Sequence, residues 1–229
     1  EGVIGKPFAV RIIRCARRSL DGPWAATWRS KRANTGGLLH EVNVHEFDFM
    51  RSIFGEVESV ARVLKRDDYA TVFLYGGRGV FDGMRSYAVN NGYERFIEQK
   101  HIENPSFTTI WGVADEDLFK RAVTEFRELN AAGKPFFGTV LSGSNHKPYT
   151  YPKGRIASDP DARKREHAVE YSDWCLGEFF RAAKREAFWT NTVFVMVADH
   201  GARVYGSQSI PIHSYEIPLV ILGPAAVKA

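Results

Sequence analysis

The sequence predicts an α/β fold, a mostly parallel β-sheet with helices on both faces. Three observations carry this reading. Four short runs of β-branched, aliphatic and aromatic residues read as buried strands: ATVFLY (70–75), FFGTVL (136–141), TVFVMVA (192–198) and PLVIL (218–222). Segments with apolar residues at helical spacing lie between them, so strand and helix alternate along the chain. Three of the strands end abruptly in polar or glycine-rich loops, GGRG, SGSNH and ADHGAR. In open parallel sheets the loops at carboxyl ends are where ligands sit.

Residues 1–55 stand apart from this pattern. They hold the Arg- and Trp-rich stretches RIIRCARRS and WRSKR, and their hydrophobic periodicity is poor. They are set aside as an atypical N-terminal segment, and residues 56–229 as the C-terminal part of an α/β domain whose N-terminal part is incomplete. EVESVARVLKR (56–66) has helical spacing, and the 70–75 strand follows, closed by Gly76-Gly77-Arg78-Gly79. Residues 79–91 hold a short helical or irregular piece. EDLFKRAVTEFRELNAA (116–132) is a strong amphipathic helix, with Asp115 expected as its cap and Gly133-Lys134-Pro135 as its stop. The 136–141 strand comes next, then a long amphipathic helix over 163–185, then the strands 192–198 and 218–222. No internal repeat or low-complexity tract interrupts the order.

Composition narrows the function classes. At 229 residues the chain suffices for one large domain with a substantial core. Hydrophobic residues make up 44% and charged residues 25%, ordinary for a globular protein. No stretch approaches the roughly 18 apolar residues that span a bilayer. The sequence opens on Glu1 rather than Met and carries no signal peptide, so a processed or excised piece of a longer chain is expected. The net charge of +4 suits anionic substrates or an anionic membrane surface. It is too small and too scattered to argue for nucleic acid. Cys15 and Cys175 sit in no metal-binding spacing.

The loop ends supply the candidate chemistry. Asp199 and His200 follow the third strand, and a carboxylate beside an imidazole can ligate a divalent cation. The plainer alternative is a turn cap and a loop histidine. The second strand ends in Ser144-Asn145-His146. On the carboxyl edge of one parallel sheet these loops converge, so His146 is expected within side-chain reach of Asp199 and His200. His146 could equally be a hydrogen-bonded loop histidine. Gly76 and Gly77 would let a ligand approach the backbone, and Arg78 suits a phosphate or sulfate oxygen. A tight turn explains the two glycines equally well.

Longer segments carry a family resemblance. They are DDYATVFLYGGRGVFDGM (67–84), NNGYERFI (90–97), WGVADEDLFKRA (111–122), GKPFFGTVLSGSNHKPYTYP (133–152), AVEYSDWCLGEFFRAAKREAFWTNTVFVMVADHGAR (168–203) and YEIPLVILGP (215–224). In order and spacing they resemble the sulfatase-like branch of the alkaline phosphatase superfamily, most closely the lipoteichoic acid synthase and phosphoglycerol transferase group. The resemblance runs from about residue 56 to the end. It implies a divalent metal, commonly manganese in this branch, with zinc, calcium or magnesium as alternatives. Asp199 and His200 match the family's metal-ligand pair. His146, in SNHKP, matches a histidine lying against the substrate phosphate, where it would hydrogen-bond a phosphoryl oxygen or assist the leaving group. Trp111 is a packing residue or a surface for a sugar or glycerol. Arg203 would meet an anionic head group or be solvated. His213 falls where other superfamily members place a metal or substrate residue; a surface histidine is the other reading.

The sequence also departs from the pattern. The branch uses a threonine in a Gly-Thr-Arg-Thr-like segment as nucleophile, preceded by a metal-binding glutamate. The corresponding stretch here is GPWAATWRSKRANTGGLLHEVN, in which neither Thr27 nor Thr35 has that motif. Thr27 lies closest to the expected distance, yet no nucleophile is assigned. Cys15-Ala16-Arg17-Arg18-Ser19 lacks the Cys-x-Pro/Ala-x-Arg pattern of formylglycine sulfatases. The first 50 residues are read as divergent, truncated with a new beginning, or translated out of the ancestral frame, and reduced activity is expected. The expected function is a metal-dependent phosphoglycerol transferase or hydrolase acting on an anionic phospholipid or envelope glycan. It would work at the extracytoplasmic face of the cytoplasmic membrane, held by an upstream anchor. A non-catalytic domain binding anionic glycan or lipid head groups, and a sulfate- or phosphate-ester hydrolase, are the alternatives.

Overall fold

A computed structural model describes residues 59–198 and 217–224. The chain divides into two units, Glu1–Val57 with Ala198–Pro218 and Glu58–Val197 with Leu219–Ala229, and the elements below belong to the second. Helix α1 (Val60–Arg66) starts where Ser59 Oγ accepts from Arg62 N at 3.2 Å, and ends with Lys65 and Arg66 in its last turn. Cations there complement the helix dipole. Strand β1 (Ala70–Tyr75) follows, with all but its first residue buried. A 3₁₀ turn (Phe81–Gly83) leads into α2 (Met84–Asn90) and β2 (Arg95–Ile97). The short strands β3 (Thr108–Thr109) and β4 (Gly112–Val113) pair antiparallel. Then come α3 (Asp115–Ala131), β5 (Phe136–Leu141) and α4 (Arg165–Ala183). Strands β6 (Phe194–Val197) and β7 (Leu219–Leu222) complete the described chain.

The sheet has the order β2-β1-β5, all parallel, with β1 in the centre. Registration of β1 on β5 runs from Ala70 opposite Phe136 to Tyr75 opposite Leu141. Alternate β1 side chains serve opposite faces, as the pleat demands. Val72 and Leu74 join Leu118, Ala122 and Phe126 of α3 and Tyr171, Cys175 and Phe179 of α4 in the main core. Phe73 and Tyr75 pack on the other side with Ala88 of α2, Tyr93 and Phe96. Both faces of the sheet are therefore covered by helices, which is why β1 reads as a continuous apolar run. Cutting fully buried Leu118 back to alanine would cost about 2–5 kcal/mol.

Two expectations are corrected. Asp115 does not cap α3. Ala114 is the N-cap residue, in extended backbone, and Asp115 opens the first turn with Glu116 and Asp117. All three are buried, and their carboxylates reach other elements rather than the helix's own N–H groups. Second, the strand predicted over 192–198 does not join β1 and β5. Among the described residues β6 and β7 form an antiparallel pair of their own, from Phe194 opposite Leu222 to Val197 opposite Leu219. A run that is apolar on both faces carries no alternation to choose its partner, so sequence pattern alone does not fix the pairing.

Candidate active site

The loop leaving β5 carries His146, and its shape is imposed from beneath by Asp115. Strand β5 delivers the chain to the carboxyl edge of the sheet, where Gly143 and Ser144 turn over the start of α3. Asp115 Oδ1 accepts from Gly143 N at 2.9 Å and from Ser144 N at 3.1 Å. Its Oδ2 accepts from Ser172 Oγ of α4 at 3.2 Å, and its own N–H donates to Ser144 Oγ at 3.0 Å. One carboxylate thus ties α3, α4 and the loop together. Burial pushes its pKa above the ordinary aspartate range, against the pull of these donors.

His146 projects from this bracket and is exposed. Its Nδ1 lies 3.2 Å from Gly143 O. A carbonyl can only accept, so this contact assigns the Nδ1–H tautomer to the neutral ring and leaves Nε2 with its lone pair. Nε2 has no hydrogen-bond partner among the described residues. The ring lies against Trp111 with centroids 4.5 Å apart and planes tilted by 35°, and Trp111 meets Phe81 edge-to-face at 5.6 Å. Trp111 Nε1 also donates to Lys147 O. Trp111 is therefore a positioning residue, holding both the imidazole and the backbone beyond it.

The glycines after β1 serve this packing. Gly76 O accepts from Val113 N and Gly77 O from Gln99 N, each at 2.9 Å. A Cβ on Gly77 would stand 2.4 Å from Trp111 O, and one on Gly112, where φ is +128°, would stand 2.1 Å from Gly76 O. So the pair admits the β3–β4 hairpin against β1 rather than a ligand, and the hairpin in turn presents Trp111. Arg78 takes a different path. Its side chain lines a cavity of about 770 Å³ together with Arg85, Lys100 and Glu98, a basic cluster that the sequence reading missed. Those residues come from the loop after β1, from α2 and from the turn after β2, and share no motif. Asp115 had a sequence signal of the wrong meaning, since an acidic residue opening a helix reads as a cap.

Asp199, His200, Arg203 and His213 lie outside the described residues, as do Thr27, Thr35 and Cys15. The expected approach of His146 to Asp199 and His200 therefore falls outside them too. Among the described residues no three His, Cys, Asp or Glu side chains converge to hold a metal ion. No helix among them is long and apolar enough to cross a membrane.

A parallel sheet with covered faces and an exposed, bracketed histidine at its carboxyl edge defines an α/β class, and its solved relatives lie in the alkaline phosphatase superfamily. A solved protein of that superfamily from Vibrio parahaemolyticus is similar, with a TM-score of 0.69 and 43% identity over 72% of this chain and 41% of that one. The lipoteichoic acid synthase LtaP from Listeria monocytogenes superposes with a TM-score of 0.62 and 22% identity, over 74% of this chain and 47% of the other, a likeness of fold. The Sulfatase family model matches residues 23–229, and the chain belongs to that family. Among curated proteins it is 26% identical over 161 residues to phosphoglycerol transferase I of Xanthomonas campestris, covering 63% of this chain and 22% of that one. It is 22% identical over 160 residues to lipoteichoic acid synthase 2 of Bacillus subtilis, covering 66% and 24%. The chain thus spans about a quarter of the length of these curated relatives.

Proposed function

We propose that this chain is part of a phosphoglycerol transferase-like domain that handles a phosphate ester of an anionic lipid or envelope glycan, with His146 touching the phosphoryl group. The single observation behind this reading is the His146 geometry. An exposed imidazole is held by a tilted contact with Trp111 and by Nδ1 to Gly143 O, at the carboxyl edge of a parallel sheet. In its neutral form Nε2 can take a proton; in its charged form it can donate to a phosphoryl oxygen or to a departing alkoxide. Fixing the ring beforehand removes the entropy of orienting it at each encounter.

The similarity to phosphoglycerol transferase I and to lipoteichoic acid synthases supports the substrate class. In this reading a divalent cation, manganese ahead of zinc, calcium or magnesium, is held by Asp199 and His200. It would supply charge neutralisation at the phosphate. The described residues alone do not make a metal shell. Arg203 would meet the anionic head group, and His213 would line the same site. The work would be done on the extracytoplasmic side of the cytoplasmic membrane, with anchorage supplied upstream. The nucleophile is unassigned.

The test is calorimetric titration of glycerol phosphate into the chain with manganese present, beside turnover of a phosphatidylglycerol analogue. The reading expects binding that His146→Ala weakens at least tenfold, and turnover that is slow or absent. Binding unchanged by His146→Ala would overturn the role of the imidazole. Robust manganese-dependent turnover would overturn the expectation of reduced activity. Binding without any turnover in a chain extended upstream would favour a non-catalytic head-group-binding domain.

A further inference from the structure

A second histidine, His101, closes the turn after β2 through a bond that only one of its charge states can make. The turn is a single 3₁₀ turn, Gln99–His101, with Glu98 as its N-cap in extended backbone. It is closed reciprocally. His101 N donates to Glu98 O at 2.8 Å, and Glu98 N donates to His101 Nδ1 at 3.1 Å. An accepting nitrogen must keep its lone pair, so Nδ1 is bare and the neutral ring carries its proton on Nε2. Imidazolium has two donors and no acceptor. Protonation would therefore set an N–H of the ring against the N–H of Glu98 and strand that backbone donor. His146 differs, because its Nδ1 faces a carbonyl and keeps that bond in either charge state.

The surroundings favour the neutral ring. His101 is exposed, so protons reach it. Desolvation first, then the cations Lys100 of the same turn, Arg85 of α2 and Arg121 of α3, hold it below the ordinary histidine range. The nearby carboxylates are engaged elsewhere. Buried Glu98 accepts from Gly79 N and pairs with Arg85 and with Lys100, and Glu125 pairs with Arg121 at 2.8 Å. No carboxylate among the described residues pairs with the His101 ring to welcome its charge.

The turn in its place braces the loop after β1. Gln99 N donates to Gly77 O at 2.9 Å, and the Glu98 carboxylate accepts from Gly79 N. Gly77 in turn lies directly beneath the Trp111 carbonyl. On its far side the turn is anchored by buried Ile102, whose N–H donates to Gln99 O at 3.0 Å. The free end of the turn is thus the one that His101 fastens.

We propose that His101 is a proton-operated latch: neutral, it closes the turn after β2 and braces the loop after β1; charged, it lets the turn open and loosens both bonds to that loop. The sign is fixed by the neutral ring being the folded one. The stabilisation is complete above the unfolded histidine value and is lost as pH falls from there through the lower folded value. The latch uses no metal and no ligand, so it stands apart from the fate of the His146 reading.

The experiment is NMR of the whole chain, following histidine ring and backbone amide signals between about pH 8 and pH 5. The parent should show the Nε2–H tautomer of His101 at the upper end and a ring midpoint below that of an unstructured histidine. The amides of Glu98 and Gln99 should shift with the same midpoint. Exchange protection of the Glu98 amide, taken relative to its intrinsic rate, should drop roughly five- to tenfold across it, the loss of one hydrogen bond. His101→Gln supplies the usual non-titrating acceptor at this position of a capping box, so it should keep the protection at both ends of the range. His101→Ala should show the low protection throughout. The parent titration and the glutamine variant decide the matter even where the alanine variant does not fold. A Glu98 amide indifferent to the ring's titration would overturn the proposal. So would an Nδ1–H tautomer, a ring midpoint at or above that of an unstructured histidine, or a glutamine variant with the parent's pH response.

Discussion

Replacing Asp115 by alanine tests the claim that one buried carboxylate shapes the site. The side chain accepts three hydrogen bonds, from Gly143 N, Ser144 N and Ser172 Oγ. Hydrogen bonds to a charged group each contribute about 1.5–3 kcal/mol. Gly143, Ser144 and Ser172 are only half-buried, so water recovers part of each lost bond. Removing the buried charge also relieves its desolvation, which works in the variant's favour. The net expectation for Asp115→Ala is a loss of about 2–3 kcal/mol, well below the summed range of about 4.5–9 kcal/mol because of these two offsets. Asp115→Asn keeps an acceptor for both backbone N–H groups and is expected within about 1 kcal/mol of the parent. Guanidinium unfolding reads the stabilities, and hydrogen exchange at the amides of residues 143 and 144 reads the loop. The sign of the pH dependence follows from burial. A carboxyl raised in the folded state stabilises most below its unfolded value and loses that contribution as pH climbs through the folded one. The parent should therefore weaken relative to Asp115→Asn as pH rises from the ordinary aspartate range. An alanine variant as stable as the parent, or an asparagine variant as damaged as the alanine one, would refute the bracket.

Three more outcomes follow from the packing. Gly112→Ala should cost more than about 2 kcal/mol, because it sets a Cβ 2.1 Å from Gly76 O at a φ of +128°; thermal unfolding checks it. Arg155→Met should cost about 2 kcal/mol, since it strands nearly buried Glu116, which Arg155 grips at 2.8 and 3.1 Å; half-exposure of Arg155 tempers the loss. Burial works to raise Glu116, but Arg155 and Ser106 hold it below the usual carboxylate range. Its share of stability is present above that range and fades as pH falls through the folded value, so the deficit of Arg155→Met should shrink in acid. Burial pushes the Cys175 thiol up to about 12, so iodoacetamide at pH 8 should spare it in the native chain and label it fully in denaturant, as peptide mass spectrometry would show.

Much of the fold was legible from local pattern. β1, β5, α3 and α4 fall where apolar runs and helical spacing put them, because β1 is buried on both faces and the two helices each bury a stripe. The position of His146 at a strand end was legible for the same reason. What holds it was not, since Asp115 reaches Ser172 across 57 residues and Gly143 across 28, distances at which a sequence pattern carries no geometry. Gly76 and Gly77 fitted a turn and a ligand approach equally, and only the placement of Trp111 and Gly112 decides for packing. The pairing of β6 with β7 was hidden by apolar residues on both faces of each.

The Asp115 bracket grips main-chain N–H groups, which residues of any type except proline provide. Replacements at Asn145, Lys147 or Tyr149 would alter the chemistry presented beside the imidazole while its mounting stayed put. A scaffold of this kind lets single substitutions vary the surface around a fixed ring without first dismantling its support.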